Sequence, residues 1–224
     1  MPDFVNAAQQ RVFARLNAPV RTQDDLLRLF VTDLGFERIE QPIPPRDDTF
    51  GRGQALELAK RSRLLRLAGH GDFQIIYTEL DGDRLDYTRQ RILATKLLET
   101  WPDALFVFAR KGTIGQPGGA EMHIVNVKGD AATGVRRVFR RFRLGPGEQY
   151  RTAAERLALL DISATPDITT LELRERLDAA FDVEAVTKRF FDDYKTVFND
   201  LQQRLARTSR DKAWAHDYAL QLLN

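Results

Sequence analysis

Four strand-like segments in the middle of the chain constrain its fold more than any other feature of the sequence. Each is rich in β-branched and aromatic residues and is bounded by Gly, Pro or Asp, and they cover residues 73–80, 104–110, 121–128 and 135–144. A helix expected at about 88–100 turns the first two into a strand–helix–strand unit, which favours a parallel pair. The short link between the last two favours an antiparallel pair.

Segments with apolar residues at helical spacing precede and follow these strands in the chain. Before and between them, the sequence predicts helices at 4–17, 22–34 and 55–68, a short strand at 36–40 and a loop at 41–54. After the Gly-Pro-Gly segment, it predicts helices at about 150–161, 169–180, 183–206 and 210–223. The expected fold class is therefore α+β, a mixed β-sheet with flanking helices that is followed by a helical segment.

We assign residues 1–145 to a mixed-sheet domain and residues 146–224 to a helical connector. Outside the four strands and the short one before them, no segment has enough β-type hydrophobicity to add to the sheet, so the other segments should pack on it. The predicted core contains Leu29, Phe36, Ile76, Phe106, Phe108, Ile124, Val127 and Phe139.

Bulk composition excludes some kinds of chemistry and leaves others open. The chain has 34 basic and 32 acidic residues, a formal net charge of +2, so only local clustering of charge can argue for a nucleic-acid partner. It has no cysteine, which excludes disulfides and thiolate chemistry. It also lacks a signal peptide and any apolar run long enough for a membrane span. We expect a soluble cytoplasmic protein with no membrane partner.

The strongest local cluster of charge lies in the last predicted strand. Basic residues there interleave with apolar ones, and a lysine closes the preceding strand, which gives a candidate DNA-binding set of Lys128, Arg136, Arg137, Arg140, Arg141 and Arg143. Two structural explanations stay open beside DNA contact. The arginines can protect an edge strand against aggregation, or they can form salt bridges with acids on the helices.

A nuclease-like site is the second candidate, because Asp72 and Glu79 flank the first strand of a strand–helix–strand unit. Two carboxylates that bridge Mg²⁺ would supply the Lewis acid for phosphodiester hydrolysis. The Glu-x-Lys pattern of such sites is absent, since Glu79 is followed by Leu-Asp. Seven residues of extended strand also separate the two acids by about 23 Å. We therefore assign no catalytic or metal-binding residue and expect no cleavage with Mg²⁺ or Mn²⁺.

The three histidines, His70, His123 and His216, lie on separate predicted elements and lack the spacing of a metal site. His70 stands between two glycines and is expected in a turn. His123 is expected to be a strand residue with a satisfied hydrogen bond. No glycine-rich phosphate-binding motif follows any strand, so the sequence does not predict a nucleotide fold.

Several segments taken together resemble the N-terminal region of type IIG-like fused restriction–modification proteins. The likeness covers roughly residues 20–224 and is carried by residues 29–36, 104–108, 123–128, 142–148, 151–157 and 181–194. It implies a loosely restriction-endonuclease-like fold that handles double-stranded DNA. It also implies an adenine-N6 DNA methyltransferase and a target-recognition region downstream in the same parent chain.

The methyltransferase signatures of that family, a Gly-rich S-adenosylmethionine loop and an Asn-Pro-Pro-Tyr/Phe tetrapeptide, do not occur in this sequence. The resemblance therefore implies an N-terminal fragment that needs no cofactor of its own unless Mg²⁺ serves a nuclease. Two functions remain open. One is a DNA-handling module of a restriction–modification or phage-defence protein, and the other is a non-catalytic scaffold that docks other domains or subunits.

Overall fold

The structure is a computed structural model, which describes residues 6–129 and 137–209 and the single positions 214, 216 and 218. The fold is α+β, as the sequence predicts, and it is built on one six-stranded mixed sheet. The strands follow one another across the sheet in chain order. They are β1 (Glu37–Pro42), β2 (Arg63–His70), β3 (Phe73–Leu80), β4 (Ala104–Arg110), β5 (Met122–Gly129) and β6 (Arg137–Leu144).

Helices cover both faces of this sheet. They are α1 (Ala7–Asn17), α2 (Gln23–Leu27), α3 (Asp47–Phe50), α4 (Gln54–Arg61), α5 (Tyr87–Thr100), α6 (Arg151–Leu157) and α7 (Thr170–Ala180). The chain continues in a separate helix, α8 (Val183–Ser209). A π-helical segment, Arg28–Asp33, continues α2, and a 3₁₀ turn, Ala158–Leu160, continues α6. The helix predicted at 210–223 lies almost wholly outside the described residues.

Strand β3 is central to the sheet, and its eight residues are all buried. Burial on both faces agrees with its five apolar or aromatic residues, although Gln74, Thr78 and Glu79 are buried among them. It pairs in parallel with β4 through the crossover helix α5, which confirms the predicted strand–helix–strand unit. The other neighbouring strands pair antiparallel, including the predicted pair β5 and β6.

Helix α5 is placed by signals that are visible in the sequence. The side chain of Asp86 caps its N-terminus by accepting a hydrogen bond from the Arg89 backbone N–H at 2.9 Å. Trp101 follows its last residue, and Pro102 prevents a further helical turn. The helix packs on one face of the sheet in a core with α3 and α4, which we call the α5 face.

The opposite face of the sheet buries a larger core with α1, α2, α6 and α7. We call it the α7 face. Leu157 from α6 and Leu173 and Leu177 from α7 are buried there together with Tyr77 of β3. These helices therefore belong to the same core as the strands. A compact unit accordingly ends at Phe181, and a second one begins at Asp182, whereas the predicted domain boundary at 145/146 lies inside the first unit.

The predicted helix at 55–68 is wrong in its second half. Helix α4 ends at Arg61, and the chain then forms strand β2 from Arg63 to His70. Both α4 and β2 contain leucines, and the spacing of these leucines is compatible with one continuous helix. In the strand, Leu64 packs on the α5 face while Leu65 and Leu67 pack on the other, and burial on both faces removes the alternation that identifies a strand.

Six of the eight predicted core residues are almost fully buried, namely Leu29, Phe36, Ile76, Phe106, Phe108 and Ile124. Val127 and Phe139 are only partly buried and pack against the core of the α5 face. Both lie toward the β6 edge of the sheet, where one side has no neighbouring strand among the described residues. In the part of the chain that the structure describes, no helix combines the length and apolarity needed to cross a membrane.

Candidate nucleic-acid interface

Strand β6 forms one edge of the sheet and carries most of the predicted DNA-binding residues. Successive side chains of a strand point to opposite faces, so the register divides these residues into two groups. Arg137, Arg141 and Arg143 lie on the α5 face. Arg140 lies on the α7 face, as does Lys128 of β5, while Arg136 lies outside the described residues.

Tyr87, the first residue of α5, anchors two of the arginines on the α5 face. The Arg143 Nη2 donates a hydrogen bond to the Tyr87 hydroxyl at 2.7 Å. The guanidinium carbon of Arg141 lies 3.7 Å from the centre of the Tyr87 ring, which is a cation–π contact. Burial opposes ionisation of the phenol, but hydrogen bonds from Arg141 and Arg143 lower the pKa of Tyr87 below its usual value.

Two further arginines extend this group along the helix. The Arg137 Nη1 donates to the Thr95 carbonyl oxygen at 3.0 Å, and Arg91 of α5 lies 5.0 Å from the Phe139 ring centre. Arg91, Arg137, Arg141 and Arg143 together form what we call the arginine strip. All are exposed except Arg141, which is half-buried.

The arginine strip has no carboxylate partner among the residues that the structure describes. Its guanidinium groups contact aromatic rings, a hydroxyl and a carbonyl oxygen, all of them neutral. Within the described ranges, the ion pairs involve other arginines and lysines, so no carboxylate pairs with the strip. Such groups keep both their charge and N–H donors for an anion such as a phosphate.

On the α7 face the basic residues have a different environment. Lys128 forms an ion pair with Asp178 of α7 at 2.9 Å, and Asn126 donates to the same carboxylate at 3.3 Å. Arg140 Nη1 donates to the Phe181 carbonyl oxygen at 3.1 Å. These contacts attach the sheet edge to α7 and its C-terminal end. They match the structural role that the sequence left open for basic residues.

A buried polar pair lies beneath the arginine strip. His123 of β5 is 5% exposed, and its Nδ1 forms a hydrogen bond with the side-chain amide of Gln90 on α5, at 3.0 Å from the Nε2 and 3.2 Å from the Oε1. The satisfied hydrogen bond expected for this strand histidine is therefore present. Burial, together with the nearby charges of Arg141 and Arg143, lowers the pKa of His123 to about 4. The imidazole is neutral at physiological pH.

A cavity of about 770 Å³ opens next to Tyr87 and His123. It lies where β4 ends and β5 begins, between the N-terminal turn of α5 and the turn that follows β6. Arg110 and Glu121 in its wall form an ion pair at 2.6 Å. The carboxyl ends of parallel strands, here β3 and β4, are the usual location of ligand sites in open sheets with crossover helices.

The nuclease candidates lie at opposite ends of one strand. Asp72 precedes β3, while Glu79 is near its far end and bonds to Tyr77 and Arg63 at 3.2 and 3.1 Å. No group of three or more His, Asp or Glu residues able to hold a metal ion occurs among the residues the structure describes. The absence of cleavage stays a prediction.

His70, expected in a turn, is the last residue of β2, and its Nε2 donates to the Ile168 carbonyl oxygen at 2.9 Å.

Sequence reasoning missed Tyr87 and Arg91, although a signal for them exists. Tyr87, Arg91 and Thr95 are four residues apart, so they share one side of α5, and that side is the one in contact with β6. The spacing alone does not indicate which face of the sheet receives this side of the helix. That information comes only from the register of β6.

Comparison with protein-family models, with curated proteins and with solved structures gives no match to this chain. The α+β fold and the arginine strip therefore rest on the chain's own residues. The resemblance to the N-terminal region of type IIG-like restriction–modification proteins, and the restriction-endonuclease-like fold that it implies, stay predictions.

Proposed function

We propose that this chain is a DNA-handling module of a restriction–modification or phage-defence protein and that it acts in the cytoplasm. The arginine strip is the surface that binds duplex DNA. One observation carries the proposal, namely that four arginines lie side by side without a carboxylate partner among the described residues. Uncompensated arginines at the surface are what a phosphate backbone requires.

The dimensions of the strip agree with this assignment. From Arg137 to Arg143 the strand extends about 20 Å at the usual rise per residue. That length equals the rise of about six base pairs of duplex DNA. Tyr87 and Phe139 hold the guanidinium groups in place, which reduces the conformational entropy that binding would otherwise cost.

The resemblance supplies the remaining parts of the proposal. It implies that a methyltransferase region, with its S-adenosylmethionine site, and a target-recognition region act together with this module. In that arrangement the arginine strip contacts the DNA backbone, and sequence recognition belongs to the other regions. Backbone contacts fix position and orientation on DNA, while base contacts provide specificity.

The test compares DNA binding by the wild-type chain and by a variant that combines Arg137→Gln, Arg141→Gln and Arg143→Gln. We expect the affinity for a duplex to fall about 100-fold at low salt, because three charge-assisted phosphate contacts are lost. The slope of log K against log salt should become shallower by up to about three. A fluorescence-anisotropy titration at several salt concentrations measures both quantities.

A matched control removes three positive charges elsewhere through Arg52→Gln, Lys60→Gln and Arg151→Gln, each of which pairs with an acid. It changes the net charge equally, so it should keep nearly all of the affinity if the strip is the binding surface. Equal losses in both variants would show that only net charge matters. No binding of the wild type at low salt would favour the docking scaffold instead.

A further inference from the structure

We propose that the cavity beside Tyr87 binds a nucleoside phosphate and recognises its phosphoryl group through Arg84 and Arg143. This inference goes beyond DNA binding by the arginine strip, and it does not depend on it. A free nucleotide and the phosphorylated 5′ end of a DNA strand both carry a nucleoside with a terminal phosphoryl group. The experiment below distinguishes these two sources.

The size and walls of the cavity fit a ligand larger than inorganic phosphate. Its volume of about 770 Å³ falls within the range of small-molecule and cofactor sites. Apolar side chains form part of its wall, contributed by Leu85, Met122, Leu144 and Pro146. Tyr87 is 45% exposed beside them and provides an aromatic surface for a nucleobase.

The charged groups of the wall balance in number, three basic and three acidic, but two of its arginines are available to an anion. The lining contains Arg84, Arg110, Arg143, Asp86, Glu121 and Glu148. Glu121 neutralises Arg110, and the Asp86 carboxylate accepts the Arg89 backbone N–H at the start of α5. Arg84 and Arg143 have no carboxylate partner within the described part of the chain, and Arg141 adds its charge behind the Tyr87 ring.

His123 contributes a polar ring nitrogen to the wall of the cavity. Its side chain is almost fully buried, and it lines the cavity. Gln90 occupies the Nδ1 of the imidazole, which leaves the Nε2 as the ring nitrogen available to the cavity. The Nε2 is not one of the fully buried atoms that lack a hydrogen-bond partner, so water in the cavity can reach it, and a bound ligand can replace that water.

The first experiment titrates the wild-type chain with deoxyadenosine 5′-monophosphate, deoxyadenosine and inorganic phosphate, followed by isothermal titration calorimetry. We expect the nucleotide to bind at least about tenfold more tightly than either part alone, since it combines the charged contacts with apolar burial. Equal affinity of nucleotide and nucleoside, or no binding of the nucleotide at millimolar concentration, would overturn the proposal. This comparison needs no variant.

The second experiment repeats the titration with Arg84→Gln and with Arg143→Gln, and uses Arg52→Gln as the control. Each of the first two should weaken nucleotide binding about tenfold through the loss of one charged contact, and the control should not. Arg52 is 92% exposed at its side chain and lies outside the cavity. Unchanged affinity in both cavity variants would assign the phosphoryl site elsewhere.

The third experiment measures how well single-stranded oligonucleotides with a 5′-phosphate or a 5′-hydroxyl compete with deoxyadenosine 5′-monophosphate for the wild-type chain. Tighter competition by the phosphorylated strand identifies a DNA end as the source of the ligand. Competition by free nucleotide alone identifies a small-molecule site. If both strands compete equally, recognition does not involve the terminal phosphoryl group, and the proposal fails.

Discussion

The basic residues on the two faces of the β5–β6 edge of the sheet have different roles. On the α5 face, arginines contact neutral groups of Tyr87, Phe139 and Thr95 and keep their charge. On the α7 face, Lys128 pairs with Asp178, and the neighbouring apolar side chain Phe142 packs on Phe181 with ring centres 4.4 Å apart. The first arrangement leaves donors for a ligand, whereas the second attaches the sheet to a helix.

This difference shows that a cluster of arginines in a sequence cannot be interpreted as one surface. Alternation along a strand divides it, and the partners on each face decide what each basic residue does. A carboxylate partner neutralises a cation, while an aromatic ring or a carbonyl oxygen holds it in place and leaves its net charge unchanged. The two faces should therefore respond differently to substitution.

The largest expected effect on stability comes from Phe142→Ala on the α7 face. Loss of its contact with Phe181 and with the larger core should lower the free energy of unfolding by about 3 kcal/mol. Chemical denaturation measures this change. At a temperature where the variant remains folded, its affinity for duplex DNA should equal that of the wild type, because the arginine strip is untouched.

Phe139→Ala provides the matched change on the other face. It removes an equally large, half-buried side chain, but it also releases Arg91 from the ring that holds it. We expect a smaller loss of stability, about 2 kcal/mol, together with weaker DNA binding. If Phe142→Ala lowered DNA affinity as much as Phe139→Ala does, the division between the two faces would be incorrect.

Strands β3, β4, β5 and β6 could be predicted because β-branched and aromatic residues fill them. Strand β2 could not, since leucines on both of its faces produce no alternation and imitate a helix. Helices α6 and α7 could be predicted as helices but not as part of the core. Nothing in their sequence shows that Leu157 and Leu173 are buried together with Tyr77.

For the candidate interface, the sequence identifies the arginines but not how they divide between the faces. The division requires the register of β6 on β5, where Arg143 pairs with His123 and Arg141 with Val125. Tyr87 is fifty-six residues away from Arg143 in the chain, and only the packing of α5 on the sheet brings them together. Long-range contacts of this kind have no local sequence signal.

A smaller effect is expected from pH through His123. Its folded-state pKa of about 4 lies below the ordinary value, so between about pH 6.5 and 4 the unfolded chain binds a proton that the folded chain does not. Stability is therefore complete above pH 6.5 and is lost progressively as the pH falls toward 4. Denaturation curves of wild type and His123→Gln across this window measure the difference.

The pKa of His123 also tests whether the charges on the α5 face and on the α7 face act separately. Because the charges of Arg141 and Arg143 contribute to its low pKa, Arg143→Gln should raise the pKa of His123. Lys128→Gln, on the α7 face, should leave it unchanged. Histidine titrations followed by NMR measure both. A larger shift in the lysine variant would contradict the proposed separation of the two charge environments.

The smallest expected effect is that of Asp178→Asn, which releases Lys128 on the α7 face. The ion pair is partly exposed, with side-chain exposures of 50% for Lys128 and 31% for Asp178. Pairs of this kind contribute little, so the free energy of unfolding should fall by about 0.5 kcal/mol. The control Glu155→Gln releases Arg151 on α6 and changes the net charge by the same amount.

Both variants should bind duplex DNA with affinities within about twofold of each other, because neither adds charge to the arginine strip. If the α7 face also contacted DNA, the released Lys128 would gain a phosphate partner. The salt slope of Asp178→Asn would then become steeper than that of Glu155→Gln by about one. Salt-dependent titrations of the two variants therefore determine whether the DNA-binding surface stops at the edge of the sheet.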